Sequence, residues 1–393
     1  MISEKVAFDA LPSHGFIRDY TLYAANCTTA PLAYHIGVAL TLLAVTVPVS
    51  YGTRFAIHQR ANMFVMLAGR SGDDQKSTAI EIGREILFDA APHLIGDHPG
   101  SAEGMVESLS NQPTQLLVYK EMGQLLSATQ RGYLEPLKAL LTDLADSSSQ
   151  QRVKAKKKGQ DDIVKVTHPR LSVIGACSLP FLEKHTDAVD WTGGFLGRWA
   201  LLFAFRERVN SWPVADISGR PALVSALQQR TLTQSAGWCL GMHPQTRPMW
   251  DEWFFDIEKR KLPDLVHGAR TRAPIVALKA ALLYGWDYGP APAGQDWLIT
   301  AAELVPAIKF AEMHLMSIIS LASRLAEHPD ARYRRRVLES FTNGEILQLG
   351  EVLTRTKMAK RRCMEVLDGL TEEGELERFQ FKAGKSVWRR VSL

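Results

Sequence analysis

The apolar positions of the chain fall into two rhythms, and their alternation divides it into regions. Residues 63–68 form an unbroken apolar run of six, the pattern of a strand covered on both faces. Similar runs at 115–119, 171–177 and 200–205, with a short one at 93–96, predict further strands separated by segments of helical spacing. That alternation over 61–245 predicts an α/β fold, a mostly parallel sheet flanked by helices. Upstream, 16–25 and 30–47 carry the spacing of packed helices, so 1–60 reads as a helical lead-in. Downstream, 273–283 and 301–326 are again helical, broken by a Gly/Pro-rich stretch at 289–294, which predicts a helical subdomain over 246–330. In 331–393, helical patterns at 332–341, 348–356 and 357–370 precede strand-like runs at 377–381 and 386–391. That order predicts a winged helix-turn-helix whose third helix buries Cys363, Val366, Leu367 and Leu370.

The strand at 63–68 runs into Gly69, Ser71 and Gly72 and then into Lys76-Ser77-Thr78, where a helix is expected to begin near Ser77. Small, φ-permissive residues let backbone N–H groups turn toward an anion, and the positive end of a helix faces the same point. A triphosphate cradle needs these parts. Lys76 is then the residue for the β- and γ-phosphates and Ser77 the magnesium ligand, which makes ATP and Mg2+ the expected ligands of a P-loop NTPase core. The loop departs from the G-x-x-x-x-G-K-[ST] string, because Gly69 precedes Lys76 by seven residues instead of six and Gln75 replaces the second glycine. Asp73 and Asp74 would also repel a phosphate unless they point outward or contact the metal.

Glu121 follows the second strand, where a carboxylate can polarise the water that attacks a γ-phosphate, but Lys120 stands where an aspartate usually precedes it. Ser178 ends the next strand as a candidate γ-phosphate sensor. Arg198, between Gly193-Gly194 and the strand at 200–205, is a candidate arginine finger acting across a subunit interface.

Composition narrows the class. The 393 residues, 46% hydrophobic and 22% charged, suit a globular protein of two or three domains. A net charge of +4 is too small to identify a partner, so its distribution matters more. Arg152, Lys154, Lys156, Lys157 and Lys158 crowd around a turn at Gly159, which predicts a basic hairpin or mobile loop able to track a nucleic-acid backbone. Lys357, Lys360, Arg361 and Arg362 near the third helix of the tail, and Lys382 and Lys385 on its wing, form a second basic group expected to bind DNA. The four cysteines include no C-x-x-C pair, so neither a zinc site nor a disulfide framework is expected. The amino terminus lacks the pattern of a secretory signal, and the apolar stretch 36–49 is too short to span a bilayer. A cytoplasmic location with no membrane association is the expectation.

Over residues 15–325 the chain resembles a P-loop helicase family, RecA-like or AAA+-like, found in replication proteins of phages, plasmids and integrated elements. The likeness rests on the order of GRSGDDQKSTAIEIG, SAEGMVESL, KEMGQLL, HPRLSVIGACSLPFLE and GGFLGRW. It implies Lys76 and Ser77 as nucleotide ligands, Glu121 as the catalytic carboxylate and Arg198 as the finger. It also implies a homo-oligomeric ring, with a hexamer as the size to test, and single-stranded DNA passing through its centre. The expected function is that of an ATP-dependent DNA helicase or translocase in mobile-element replication. The alternative is a weakly hydrolysing nucleotide-binding initiator or assembly protein that holds duplex DNA through its winged helix.

Overall fold

The computed structural model describes residues 1–48, 52–53, 59–129, 135–146, 151–157, 160–166, 169–186, 190–191, 194–208, 218–233, 238–262, 266–289, 295–326, 329–342, 345–380 and 386–391. Within these, the backbone alone is described at 128–129, 135, 151–157, 160–165, 325–326 and 329–332. The chain forms two compact units, Met1–Ala322 and Ser323–Leu393.

The first unit opens with helices α1 (Glu4–Asp9), α2 (Phe16–Cys27) and α3 (Leu32–Ala44). Every residue of α3 is buried, which accounts for the apolar stretch that begins there. It stops at Ala44, short of the expected residue 47, because Pro48 disfavours helical backbone at Val47. Strand β1 (Phe64–Gly69) leads through a glycine loop into α4 (Lys76–Ala90), and α5 (Ala102–Asn111) precedes β2 (Thr114–Tyr119). The expected strand at 93–96 is instead a 3-10 turn over Pro92–Leu94 followed by one isolated bridge from Ile95 to Leu116. Proline suits the first turn of a helix better than a ladder that needs its N–H.

After β2 come α6 (Met122–Thr129), α7 (Glu135–Ala145) and an antiparallel hairpin of β3 (Gln151–Lys157) and β4 (Gln160–Val166). Next in the chain are β5 (Arg170–Ser178), α8 (Leu179–His185) and β6 (Ala200–Phe203). β2, β5, β1 and β6 lie side by side in that order, all parallel, with β1 and β2 buried along their whole length. Burial on both faces is what an unbroken apolar strand requires. Helix α3 covers β1 and β6 closely: a Cβ on Gly37 would stand 2.5 Å from Leu202 and 3.0 Å from Val65.

The remainder of this unit holds α9 (Arg220–Thr231), β7 (Cys239–Met242), α10 (Arg247–Lys259), α11 (His267–Asp287), β8 (Trp297–Ile299) and α12 (Ala301–Ala326). β7 and β8 pair in parallel across the interval that sequence patterning assigns to helices. α12 alone among the described helices is long and apolar enough to cross a membrane, yet 61% of its apolar window is buried inside the protein.

The second unit contains α13 (Pro329–Glu339), β9 (Ile346–Gln348), α14 (Leu349–Thr356), α15 (Lys360–Glu372), β10 (Leu376–Gln380) and β11 (Ser386–Arg390). α14 starts at a capping box between Gln348 and Glu351 and ends at Lys357, whose φ of 55° is left-handed. The short turn into α15 makes a helix-turn-helix. α15 buries Cys363, Val366, Leu367 and Leu370, the face its spacing predicts, and β10, β11 and β9 form a three-stranded antiparallel sheet. The architecture is a parallel α/β core of NTPase-like type and a winged-helix-like carboxyl-terminal unit.

Glu345 ties this unit together. Its carboxylate accepts two bonds from Arg355, each 2.7 Å, and bonds of 3.1 and 2.6 Å from the N–H and hydroxyl of Thr342. The Arg355 guanidinium foremost holds its pKa down at about 2. A depressed carboxylate stabilises the fold above its ordinary pKa, and that contribution disappears as pH falls toward the folded value. Glu345→Gln should lower stability at neutral pH by about 1–2 kcal/mol, allowing for partial exposure. Denaturant titrations should also show a shallower loss of stability between the ordinary carboxylate range and about pH 2. Equal losses in both proteins would contradict this role.

Candidate functional site

β1 ends at Gly69, in register with Ser178 at the end of β5, so the glycine loop rises at the carboxyl edge of the sheet. Gly69 has no room for a side chain, since a Cβ there would lie 2.5 Å from the Tyr34 hydroxyl and 2.8 Å from Asp74 Oδ2. That hydroxyl sits 2.6 Å from the carbonyl oxygens of both Ala68 and Ala204, joining the ends of β1 and β6. The backbone then turns through Gly72 at φ 81° and Gln75 at φ 48°. The first bond of α4 runs from Ala79 N to Gln75 O, 2.9 Å, leaving the N–H groups of Lys76, Ser77 and Thr78 directed out of the helix end. No side chain caps that end and no acid stands in its first turn. The loop therefore presents a run of backbone donors with the positive end of a helix behind them.

Asp74 does not face these donors. Its fully buried carboxylate accepts from Arg70 N at 2.5 Å, Arg70 Nη2 at 2.9 Å and Arg206 N at 2.8 Å. The loop is thus fastened to the chain leaving β6, and one of the two expected repulsions turns inward. The Gln75 side chain is likewise drawn back, accepting a bond from the Thr28 hydroxyl ahead of α3. Asp73 is half-buried in the loop.

Lys76 donates from Nζ to the Arg70 carbonyl at 2.5 Å. Burial lowers its pKa, against the opposing charges of Asp74, Cys177, Glu121 and Asp73, which places the ammonium among the ends of β1, β5 and β2. Ser77 donates to the Lys120 carbonyl at 3.1 Å and so stands beside the carboxyl end of β2. Lys120 itself leans along α4, its Nζ 2.7 Å from Glu81. Arg84 first, and Lys120 after it, hold Glu81 at about 2. Glu121 is exposed and Ser178 half-buried, with no capping bond from its side chain. Ser71 and Gly72 are exposed on the loop, as is Thr78 on the first helical turn.

Arg198 lies elsewhere. Val65 pairs with Ala200, so Arg198 is level with the start of β1, about 20 Å from the glycine loop at 3.3 Å per residue. Its guanidinium holds Asp146 Oδ2 at 2.6 and 2.8 Å and the Gly194 carbonyl at 2.9 Å, while Arg272 holds Asp146 Oδ1 at 3.0 Å. Beneath them the buried Lys279 donates to Asn62 at 3.0 Å and Ala145 at 2.5 Å, and burial draws its pKa down to about 7. Glu121, Ser178, Lys76 and Ser77 thus share one end of the sheet, and Arg198 occupies the other.

The basic segment expected between β2 and β5 is the β3–β4 hairpin. Arg152, Lys154 and Lys156 take alternate register positions opposite Lys165, Ile163 and Asp161, and Lys157 pairs with Gln160. Lys158 falls outside the described residues, as do Lys382 and Lys385. In the carboxyl-terminal unit Lys357, Lys360 and Arg361 are exposed, and Arg362 pairs with Glu365 at 2.9 Å and lies over the Tyr333 ring. Among the described residues no group of three His, Cys, Asp or Glu side chains gathers to hold a metal ion, and all four cysteines are free.

Sequence reasoning did not find the roles of Tyr34, Thr28, Asp74 and Glu81, whose partners are set by packing between elements far apart in the chain. Only the spacing of Glu81, one turn beyond Ser77 on the same helix face, was available as a signal. No family model matches the chain, and a search of curated proteins gives no match.

Replacing Asp74 by Ala should destabilise the first unit by about 2–4 kcal/mol, because Arg70 and two backbone N–H groups lose a buried acceptor. Hydrogen exchange should speed up selectively at the Arg70 and Arg206 amides. Unchanged protection at both would show that Asp74 does not fasten the loop.

Proposed function

We propose that the chain is an ATP-dependent DNA helicase or translocase acting in replication of a mobile element. One observation carries the reading: the open end of α4, Lys76 and Ser77 meet the ends of β2 and β5 at one edge of a parallel sheet. Ligands of open α/β sheets bind at this edge, outside the carboxyl ends of the strands. The inward turn of Asp74 and the outward lean of Lys120 leave the loop's donors facing an anion site, which supports a fit for a nucleotide phosphate.

In this reading the N–H groups of Lys76, Ser77 and Thr78, with those of the turn at Ser71 and Gly72, hold the phosphates. Lys76 exchanges the Arg70 carbonyl for β- and γ-phosphate oxygens. The Ser77 hydroxyl turns from the Lys120 carbonyl to become the protein ligand of Mg2+, which needs few protein ligands alongside phosphate oxygens and water. When bound, the ion neutralises charge that develops on the phosphates. Glu121 orients the attacking water and takes up its proton, while Ser178 bonds to a γ-phosphate oxygen. Arg198, at the opposite end of the sheet, serves the site of a neighbouring subunit, which makes a homo-oligomeric ring part of the proposal.

DNA is assigned to two basic groups, the β3–β4 hairpin and the exposed start of α15 with its wing. The hairpin lies between β2 and β5 in the chain, so movement at Glu121 has a short route to it. Lys120 in the usual place of an acid favours a second reading, a slowly hydrolysing initiator that binds duplex DNA through the carboxyl-terminal unit. Strand displacement by the full-length protein separates the two.

ATP turnover should rise with single-stranded DNA and fall by about 100-fold or more in Lys76→Ala. A wild-type chain that neither binds nor hydrolyses ATP would overturn the reading. Arg198→Gln should also be slow alone, yet mixing it with Lys76→Ala subunits should restore part of the activity, because some interfaces then combine an intact Lys76 with an intact Arg198. Full activity of Arg198→Gln by itself would exclude the finger role.

A further inference from the structure

The glycine loop has a cation beside it that the proposed nucleotide site does not use. Lys120 follows β2 in the place where an aspartate usually helps to hold magnesium. Its carbonyl accepts a 3.1 Å bond from the hydroxyl of Ser77, the residue assigned to the metal, so its backbone borders the metal position. A lysine carries its charge on a flexible four-carbon stem. From this point of attachment the ammonium can turn either toward phosphates on the loop or along the outside of α4. It takes the second course, with Nζ 2.7 Å from Glu81 Oε2.

Glu81 is placed and fixed to receive it. It stands four residues after Ser77 on α4, the spacing that puts two side chains on one helix face a turn apart. Its half-buried carboxylate is gripped from the following turn by Arg84, which donates from Nε to Oε1 at 3.0 Å and to Oε2 at 3.1 Å, and from Nη2 to Oε1 at 2.5 Å. Arg84 thus takes most of Oε1 and leaves Oε2 turned to Lys120. Arg84 foremost, and Lys120 after it, hold the Glu81 carboxyl down at about 2 against the opposing effect of burial, so the acceptor stays charged throughout the neutral range.

A triphosphate on the loop changes the balance of forces on Lys120. An unheld ammonium would be drawn to the phosphate oxygens and would stand in the space of the divalent ion, where two cations at a few ångströms repel each other. Building on the nucleotide reading, on which it rests, we propose that Glu81 is a positioning residue that holds Lys120 along α4 and keeps the magnesium position free. Glu81 itself touches neither nucleotide nor metal. Its ion pair lets a lysine stand where an acid is usual.

ATP binding by the full chain, measured by calorimetry over a magnesium series and in EDTA, tests this role. Glu81→Gln should need about three- to fivefold more magnesium than the wild type for half-maximal ATP binding, the size expected of a well-placed, partly exposed ion pair. In EDTA the sign should reverse, with Glu81→Gln binding ATP more tightly because the freed ammonium joins the phosphates. Adding Lys120→Met to Glu81→Gln should return both responses to near the wild type. Simple damage to α4 would instead weaken binding in both conditions, with no rescue. An unchanged magnesium response in Glu81→Gln, weaker binding in EDTA, or no rescue by Lys120→Met would overturn the role of Glu81 and leave the nucleotide site standing. A wild type that binds no ATP would overturn the nucleotide site and the role of Glu81 with it.

Discussion

The buried carboxylate of Asp74 is the constraint on which the candidate site depends. By accepting from Arg70 at the end of β1 and from Arg206 beyond β6, it ties the loop to two strands with one side chain. Gly69 must then be glycine, because Asp74 and the Tyr34 hydroxyl fill the space a Cβ would take. Gln75 is held in left-handed backbone, an arrangement costing about 1 kcal/mol relative to glycine, and its side chain is tied to Thr28. Beyond Gln75, α4 begins without a capping bond from its N-cap side chain, as α2 and α3 also do, and its end is left open.

Charge separates the two ends of the sheet. At the carboxyl end, Lys76 lies beneath a row of backbone donors, with Glu121 and the ends of β2 and β5 nearby. At the amino end, Asp146 gathers Arg198 and Arg272 above the buried Lys279. In the proposed ring this end of the sheet is the one that carries Arg198 toward a neighbouring subunit's site.

Much of the fold was legible because its decisive segments are long or fully buried. The apolar run before Gly69 is a strand, α12 has the bounds its periodicity predicts, and the inward face of α15 is the one its spacing marks. Three short strands were not legible: β7, β8 and β9 are too short to show an alternation, and only their partners make them strands. In the site, local order identified Lys76, Ser77 and Glu121 as neighbours of one sheet edge. It left the direction of Asp74 open, because the sequence shows its charge and not where it points. Arg198 was recognisable as a residue before a strand, but sheet polarity alone tells which end of the molecule that position occupies.

The most direct measurement is a structure of the full chain with magnesium and a non-hydrolysable ATP analogue. The account predicts β- and γ-phosphates over the N–H groups of Lys76, Ser77 and Thr78, with Lys76 Nζ released from the Arg70 carbonyl and Lys120 still paired with Glu81. A nucleotide bound away from the loop, or Lys76 still bonded to Arg70 beneath an ordered triphosphate, would contradict it.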